Sequence, residues 1–244
     1  MWNKPAHMNA VADALYAAAA LAVLAIAATQ VARLPAFALR EVRIAGELRH
    51  VTRGQVEDVV RRELRGSFFA LDLAATRAAF ERLPWVRGAN VRRHWPARLD
   101  VALEEHVALA RWAASALVNT HGEVFQAAYD GELPVFIGPE GAAREIAIQY
   151  RYFRRSLETL GETPVQVQVT PRRAWQVRLA SGTTLALGRE NVEARLARFV
   201  TVHGRTLGRL GRRIDYVDLR YANGFAVRIP ELRRETAKRG RGAG

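Results

Sequence analysis

The stretch from Ala14 to Ala32 carries no charged residue, and it limits what this 244-residue chain can be. As a helix rising about 1.5 Å per residue it reaches roughly 28 Å, close to the ~30 Å hydrocarbon thickness of a bilayer. The next apolar run, Leu34 to Ala38, is short and interrupted by Pro35, and no later run matches the first. The chain therefore reads as bitopic, with a cytoplasmic-type tail over 1–13, a transmembrane helix over 14–34 and its bulk on one side of the membrane. Trp2 and Tyr16 are candidate interfacial aromatics.

Two other readings compete. The run is rich in alanine, with Leu15, Leu21, Val23, Leu24, Ile26 and Val31 as its strong apolar residues, which also suits a buried amphipathic helix. Ala36-Phe37-Ala38 has the small-x-small form of a signal-peptide cleavage site. Against cleavage, the run is longer than a usual h-region, and a cut there removes Phe37 from a predicted strand. Orientation stays open. Arg33, Arg40 and Arg43 after the span outnumber Lys4 before it, yet large domains translocate largely regardless of flanking charge.

The formal net charge of +13 invites a nucleic-acid reading. All but two of the 37 basic residues are arginine, Lys4 and Lys238 being the exceptions, and they are scattered through every segment. Arginine and alanine enrichment with lysine depletion is the imprint of GC-rich coding sequence. The charge is read as a solvated surface with affinity for anionic lipid headgroups or an acidic partner. With no cysteine, neither a disulfide framework nor a thiolate metal site can form.

Beyond the span, Phe37 to Ile44 alternates with the period of a strand. Thr52-Arg53-Gly54-Gln55 is a capping box ahead of a helix carrying Val56, Val59, Val60 and Leu64, closed by Gly66. Asp72 caps a second helix with Leu73, Thr76, Phe80 and Leu83 inward, and Pro84 stops it. Ala89, Val91 and Trp95, then Leu99, Val101 and Leu103, mark the inner face of a hairpin turning at Pro96-Ala97. That order predicts two helices on one face of a three-stranded sheet over 37–107. A β-rich domain over 108–230 follows. Its expected parts are a hairpin around Thr120-His121-Gly122-Glu123, a helix from Ala142 to Leu160 and a strand at Val165/Val167/Val169. A hairpin around Ser181-Gly182, a helix from Glu190 to His203 and a last hairpin around Asn223-Gly224 complete it. The tail over 231–244 is polar and basic, and is expected to be disordered.

Chemistry-bearing patterns are missing. The histidines have no metal-ligand spacing, the serines sit in no nucleophile motif, and no glycine-rich phosphate loop occurs. Glu104-Glu105 is an adjacent carboxylate pair on a predicted strand, and neighbours on a strand face opposite ways. No catalytic, cofactor-binding or metal-binding residues are assigned, no cofactor is expected, and the chain reads as a binding protein, not an enzyme.

Three stretches, in register behind one span, carry a family resemblance. Leu83-Pro84-Trp85-Val86-Arg87-Gly88-Ala89-Asn90-Val91-Arg92-Arg93-His94-Trp95-Pro96-Ala97-Arg98-Leu99, ending in Ala110-Arg111-Trp112, resembles the end of a POTRA domain of the FtsQ/DivIB family of bacterial cell-division proteins. Leu187-Gly188-Arg189-Glu190 through Arg195-Leu196-Ala197-Arg198-Phe199 resembles that family's last helix. Asp218-Leu219-Arg220-Tyr221-Ala222-Asn223-Gly224-Phe225-Ala226-Val227 resembles its last hairpin. Two departures stand out: Ile229 replaces a tryptophan of some relatives, and Glu105-His106-Val107-Ala108 lacks a proline.

The resemblance implies an α+β protein made of one N-terminal transmembrane helix, a β-α-α-β-β POTRA domain and a mixed β-rich domain with two helices. It implies a non-catalytic divisome scaffold in the inner membrane, N-terminus cytoplasmic and bulk periplasmic, concentrated at the septum. Implied partners are FtsK at the POTRA domain, FtsB and through it FtsL at the C-terminal domain, and FtsW and FtsI indirectly. The FtsB-binding residues it maps to are Arg189, Leu219, Arg220, Tyr221, Asn223, Gly224, Phe225 and Val227. Read without it, Tyr221 is equally a core residue, Gly224 a turn residue and Arg189 a solvated neighbour of a helix cap. A POTRA component of outer-membrane protein transport, or a basic nucleic-acid-binding protein, are the alternative functions.

Overall fold

A computed structural model describes residues 5–32, 39–64, 67–69, 71–204, 213–221 and 224–230. Trp2, Phe37, Gly66, Asn223 and the basic tail over 231–244 lie outside the described residues. The chain divides into two compact units, meeting in sequence between Glu105 and His106.

Helix α1 runs Pro5–Ala32, starting well before the expected Ala14. Within it Asn9–Ala27 is long and apolar enough to cross a membrane, and none of that window is buried. Val11, Leu15, Leu21, Val23, Leu24 and Ile26 are all at least 60% exposed. A helix that is apolar all round and buries no face lacks the stripe of a core helix, so the amphipathic-helix alternative falls away. Single-pass membrane anchoring is what this helix fits.

The rest of the first unit is built from β1 (Glu41–Ala45), α2 (Arg53–Glu63), α3 (Leu73–Glu81), β2 (Val86–His94) and β3 (Arg98–Glu105). Thr52 closes the capping box on α2: its Oγ1 accepts the Gln55 N–H at 3.3 Å, and its own N–H donates to Gln55 Oε1 at 2.9 Å. Asp72 caps α3 by accepting the Ala74 and Ala75 N–H groups. Strand β3 is central, parallel to β1 and antiparallel to β2. Its Leu99, Val101 and Leu103 are buried, while Ala102 between them and Glu104 just beyond are exposed. Those three, with Val56, Thr76, Ala79 and Phe80 from the helices, form the inner layer.

Strand β1 is described from Glu41 to Ala45, and Phe37, expected at its start, lies outside the described residues. One expectation is corrected here. Trp95 is not on the inner face: alternation breaks at the turn, and the side chain is 78% exposed. Glu104 and Glu105 do face opposite ways. Glu104 pairs with Arg87 at 2.8 Å, and Glu105 accepts from the main-chain N–H groups of Arg49, His50 and Val51 at 3.0, 3.1 and 2.7 Å.

Among the described residues, the second unit is one nine-stranded sheet with two helices. Its strands are β4 (Ala108–Trp112), β5 (Ala116–Asn119), β6 (Val124–Phe125), β7 (Val135–Ile137), β8 (Pro164–Val169), β9 (Trp175–Leu179), β10 (Thr184–Gly188), β11 (Tyr216–Asp218) and β12 (Ala226–Arg228). The order across the sheet is β12-β11-β10-β9-β8-β7-β4-β5-β6. Helix α4 (Ala143–Glu158) lies against β8 and helix α5 (Val192–His203) against β10, and the two helices touch, so they cover one face. Ile146, Phe153 and Leu157 of α4 and Leu196 and Phe199 of α5 join Val167, Val177, Leu185 and Val217 in a single core. Burying each such side chain is worth about 1.5–3 kcal/mol relative to exposure. The fold is α+β, a small α/β first unit followed by a β-rich second unit.

Candidate partner-docking edge

The last hairpin closes the sheet at one side. Strands β11 and β12 pair antiparallel, Tyr216 opposite Arg228, Val217 opposite Val227 and Asp218 opposite Ala226. Among the described residues β12 has no strand on its other flank. Alternate N–H and C=O groups of an edge strand point away from its neighbour, as a template for another chain. Phe225, Val227 and Ile229 pack on the core, Phe225 edge-on to Phe199 at 6.2 Å, while Ala226 and Arg228 face solvent. The Arg228 guanidinium lies 5.4 Å from the centre of the Tyr216 ring, a cross-strand cation–π contact.

Strand β11 continues past Asp218 along β10, because the Leu219 N–H donates to the Ala186 carbonyl at 2.9 Å. Since β10 and β11 are parallel, the residues that follow both strands emerge at the same end of the sheet. Arg189 follows β10, and Arg220 and Tyr221 follow β11. Gly188, at φ +74°, is what lets these segments approach. A Cβ there would stand 2.7 Å from Arg195 Nη1 and 3.1 Å from Arg220 Cγ.

Tyr221 is 57% exposed, which rules out the core reading for it. Its carbonyl accepts from Arg198 Nη2 at 2.8 Å, so α5 fixes the main chain behind the ring. Arg189 is exposed and pairs with Glu190 at 3.1 Å, two residues before the N-cap of α5 and not on the helix. Gly224 is half-buried ahead of β12. Leu219 is fully buried, so its side chain anchors the hairpin and offers no surface to a partner.

Arg220 is already engaged. Its Nε donates to Asp218 Oδ1 at 2.9 Å and its Nη2 to Oδ2 at 2.6 Å, while its main-chain N–H also donates to Oδ1 at 3.0 Å. That side-chain hydrogen bond raises the arginine further above its usual range and, more than burial offsets, holds the Asp218 carboxyl below its own. Asp218 is buried and Arg220 outward, so a carboxylate at the base of the hairpin aims the guanidinium at solvent.

Sequence reasoning missed Asp218, and with it Arg195 and Arg198, which brace the Leu187 and Tyr221 carbonyls from α5. The signal for Asp218 was present: residues two apart on a strand share a face, and Asp218-Leu219-Arg220 has that spacing.

An apolar helix long enough to cross a membrane, a small α/β unit and a broad sheet whose edge strand β12 is open among the described residues define a membrane-anchored protein with a β-rich domain. Residues 37–106 match the POTRA domain of FtsQ type, and residues 110–220 match the C-terminal region of cell division protein FtsQ/DivIB. The chain is 49% identical over 233 residues to the cell division protein FtsQ of Nitrosospira multiformis, covering 93% of this chain and 99% of that one. It is 42% identical over 240 residues to FtsQ of Burkholderia pseudomallei, covering 96% of each. With FtsQ of Bordetella pertussis it shares 36% identity over 262 residues, covering 97% of this chain and 96% of the relative. The chain belongs to the FtsQ/DivIB family of cell division proteins.

Proposed function

We propose that this protein is a non-catalytic scaffold of the bacterial divisome that captures FtsB, and through it FtsL, by strand addition at β12. The N-terminus lies in the cytoplasm, α1 crosses the inner membrane, and both folded units stand in the periplasm at the septum. FtsK meets the POTRA domain, and FtsW and FtsI are reached indirectly through FtsL.

The observation that carries this reading is the open flank of β12 with exposed Tyr221, Arg220 and Arg189 gathered at one end of the same sheet. An added strand gains affinity from main-chain hydrogen bonds, and the flanking side chains select it. Tyr221 supplies an amphipathic anchor of the type that dominates interfaces. Arg220 meets a partner carboxylate while keeping Asp218, and Arg189 lies close by as a second cation. Phe225 and Val227 hold β12 flat on the core, and Gly224 (with Asn223 in sequence) keeps the approach unobstructed.

The chain has no cysteine, so a single one reports contact cleanly. Ala226→Cys is expected to cross-link to cysteines placed along one segment of FtsB with the two-residue period of a paired strand. Val165→Cys, exposed on the internal strand β8, is expected not to. Tyr221→Ala is expected to weaken FtsB–FtsL binding by roughly tenfold or more with unchanged thermal unfolding. Unchanged affinity, or equal cross-linking from both cysteines, sinks the edge mechanism.

A further inference from the structure

The feature this reading leaves unused is the tip of the β2–β3 hairpin. Trp95 stands there 78% exposed, with Pro96 also exposed beside it. An indole presents a broad apolar face and one polar N–H, the combination suited to a boundary that is apolar on one side and wet on the other. The tip lies beside the start of the domain: the Ala97 carbonyl accepts the Arg40 N–H at 2.9 Å, and Glu41 pairs in register with Arg98. Helix α1 ends at Ala32. Residues 33–40 are all that separate the two, and fully extended they span roughly 28 Å. Ala97, at the base of the tip, is therefore tethered within about that distance of the end of α1.

The charge near the tip is one-sided. Arg40, Arg43, Arg92, Arg93 and Arg98 face two carboxylates, and both of those are matched: Glu41 by Arg43 at 2.6 Å and Asp100 by Arg98 at 3.0 Å. Arg92 donates to neutral Asn90, and Arg93 to the main-chain carbonyls of Phe68, Phe69 and Leu71. A projecting tryptophan over a net positive base, held close to a membrane span, has the composition of an interfacial anchor. A projecting tip also suits a headgroup layer better than it suits a second folded protein, which would need a matching pocket.

We propose that the β2–β3 tip docks on anionic phospholipid headgroups, Trp95 entering the interface while Arg40 and Arg92 meet lipid phosphates. This rests on α1 spanning the bilayer and not on FtsB binding, so it stands or falls separately from the edge mechanism. The contact holds the three-stranded sheet of the first unit against the membrane surface.

The test uses the full-length chain with Ala97→Cys, carrying a nitroxide, in nanodiscs. Its depth is read from relative accessibility to oxygen and to a water-soluble nickel chelate. With phosphatidylglycerol present the label is expected at headgroup depth, and in phosphatidylcholine alone in bulk water, like a control label at Ser115→Cys. Trp95→Ala is expected to return it to water, its fold verified by an unchanged melting curve. Arg40→Ala is expected to lower the docked fraction about fivefold, the weight of one basic residue near an anionic surface. A label in bulk water in both lipids, or at equal depth in both, overturns the proposal. So does indifference to Trp95→Ala, and so does shielding that appears only when a second division protein is added.

Discussion

Replacing Glu105 by alanine is expected to destabilise the first folded unit by about 2–3 kcal/mol, because one carboxylate gathers three main-chain N–H groups of the loop that leads into α2. The donors are Arg49, His50 and Val51, and the His50 ring adds a fourth contact at 3.3 Å. Val51 is buried, so its N–H finds no ready water once the acceptor is gone, whereas those of Arg49 and His50 are more easily rehydrated. His50 also stacks on Trp85 at 3.7 Å, so loss of the carboxylate loosens an aromatic pair on the core's margin. Glu105→Gln keeps one acceptor and is expected to lose less.

The pH dependence has a definite sign. Burial pushes the Glu105 carboxyl up, but the Val51, Arg49 and His50 N–H groups together with the His50 ring outweigh it and leave the group below its ordinary value of 4.5. A carboxyl held low by the fold stabilises it at every pH above the unfolded value, and that contribution is lost as pH falls through the folded value. Urea unfolding of the full-length protein in detergent, with hydrogen exchange localising the change to residues 49–51 and β3, measures it. The gap between wild type and Glu105→Ala is expected to hold from pH 7 to about 5 and to shrink below 4.5. A gap absent at pH 7, or one that widens in acid, refutes the role given to Glu105.

Much of this architecture was legible in local chemistry, and the places where it was not share a cause. Thr52-x-x-Gln55 and Asp72 are short-range cap signals whose partners lie within three residues, so context hardly alters them. The helix over 143–158 and the strands around Ser181-Gly182 were visible because their buried residues repeat with one period. Strands β4 and β7 were not read as strands. Val135–Ile137 is three residues long, and both strands are stabilised by parallel partners far away in sequence, Arg111 opposite Val135 and Val135 opposite Gln166. Sheet order is equally non-local: nothing near Thr184 announces that it lies parallel to Tyr216. Trp95 misled for a related reason, since alternation predicts a face only while the strand continues, and this one ends at His94. At the candidate site, exposure was the illegible quantity. Leu219 and Tyr221 stand two apart, as residues on one face of a continuing strand would, yet one is fully buried and the other 57% exposed, because among the described residues β11 pairs with β10 as far as Leu219 and no further.

The Asp218–Arg220 pair also alters how the docking site must be tested. Arg220→Glu would set two carboxylates where a bidentate ion pair now stands, so weakened FtsB binding in that variant would mix lost contact with a disturbed hairpin. Asp218→Asn separates the two effects. It keeps the shape and one acceptor for the Arg220 main-chain N–H, but removes the charge that fixes the guanidinium. The expected loss of stability is about 1–2 kcal/mol, the low side for a hydrogen bond to a charged group because the Arg220 side chain is largely exposed to screening water. The Arg220 side-chain bond, against a smaller opposing effect of burial, holds Asp218 below its ordinary value of 3.8. The sign is that of a depressed carboxyl: the contribution is complete above the unfolded value and drains away as pH falls through the folded one, so wild type and Asp218→Asn converge in acid. Binding is expected to fall because Arg220 is no longer aimed outward, by roughly fivefold, less than the tenfold expected of Tyr221→Ala. Adding Arg220→Ala to Asp218→Asn should then cost little further affinity, since the two residues act as one unit. If instead the double variant loses the sum of the two single effects, Asp218 does not position Arg220, and the arginine reaches its partner without it.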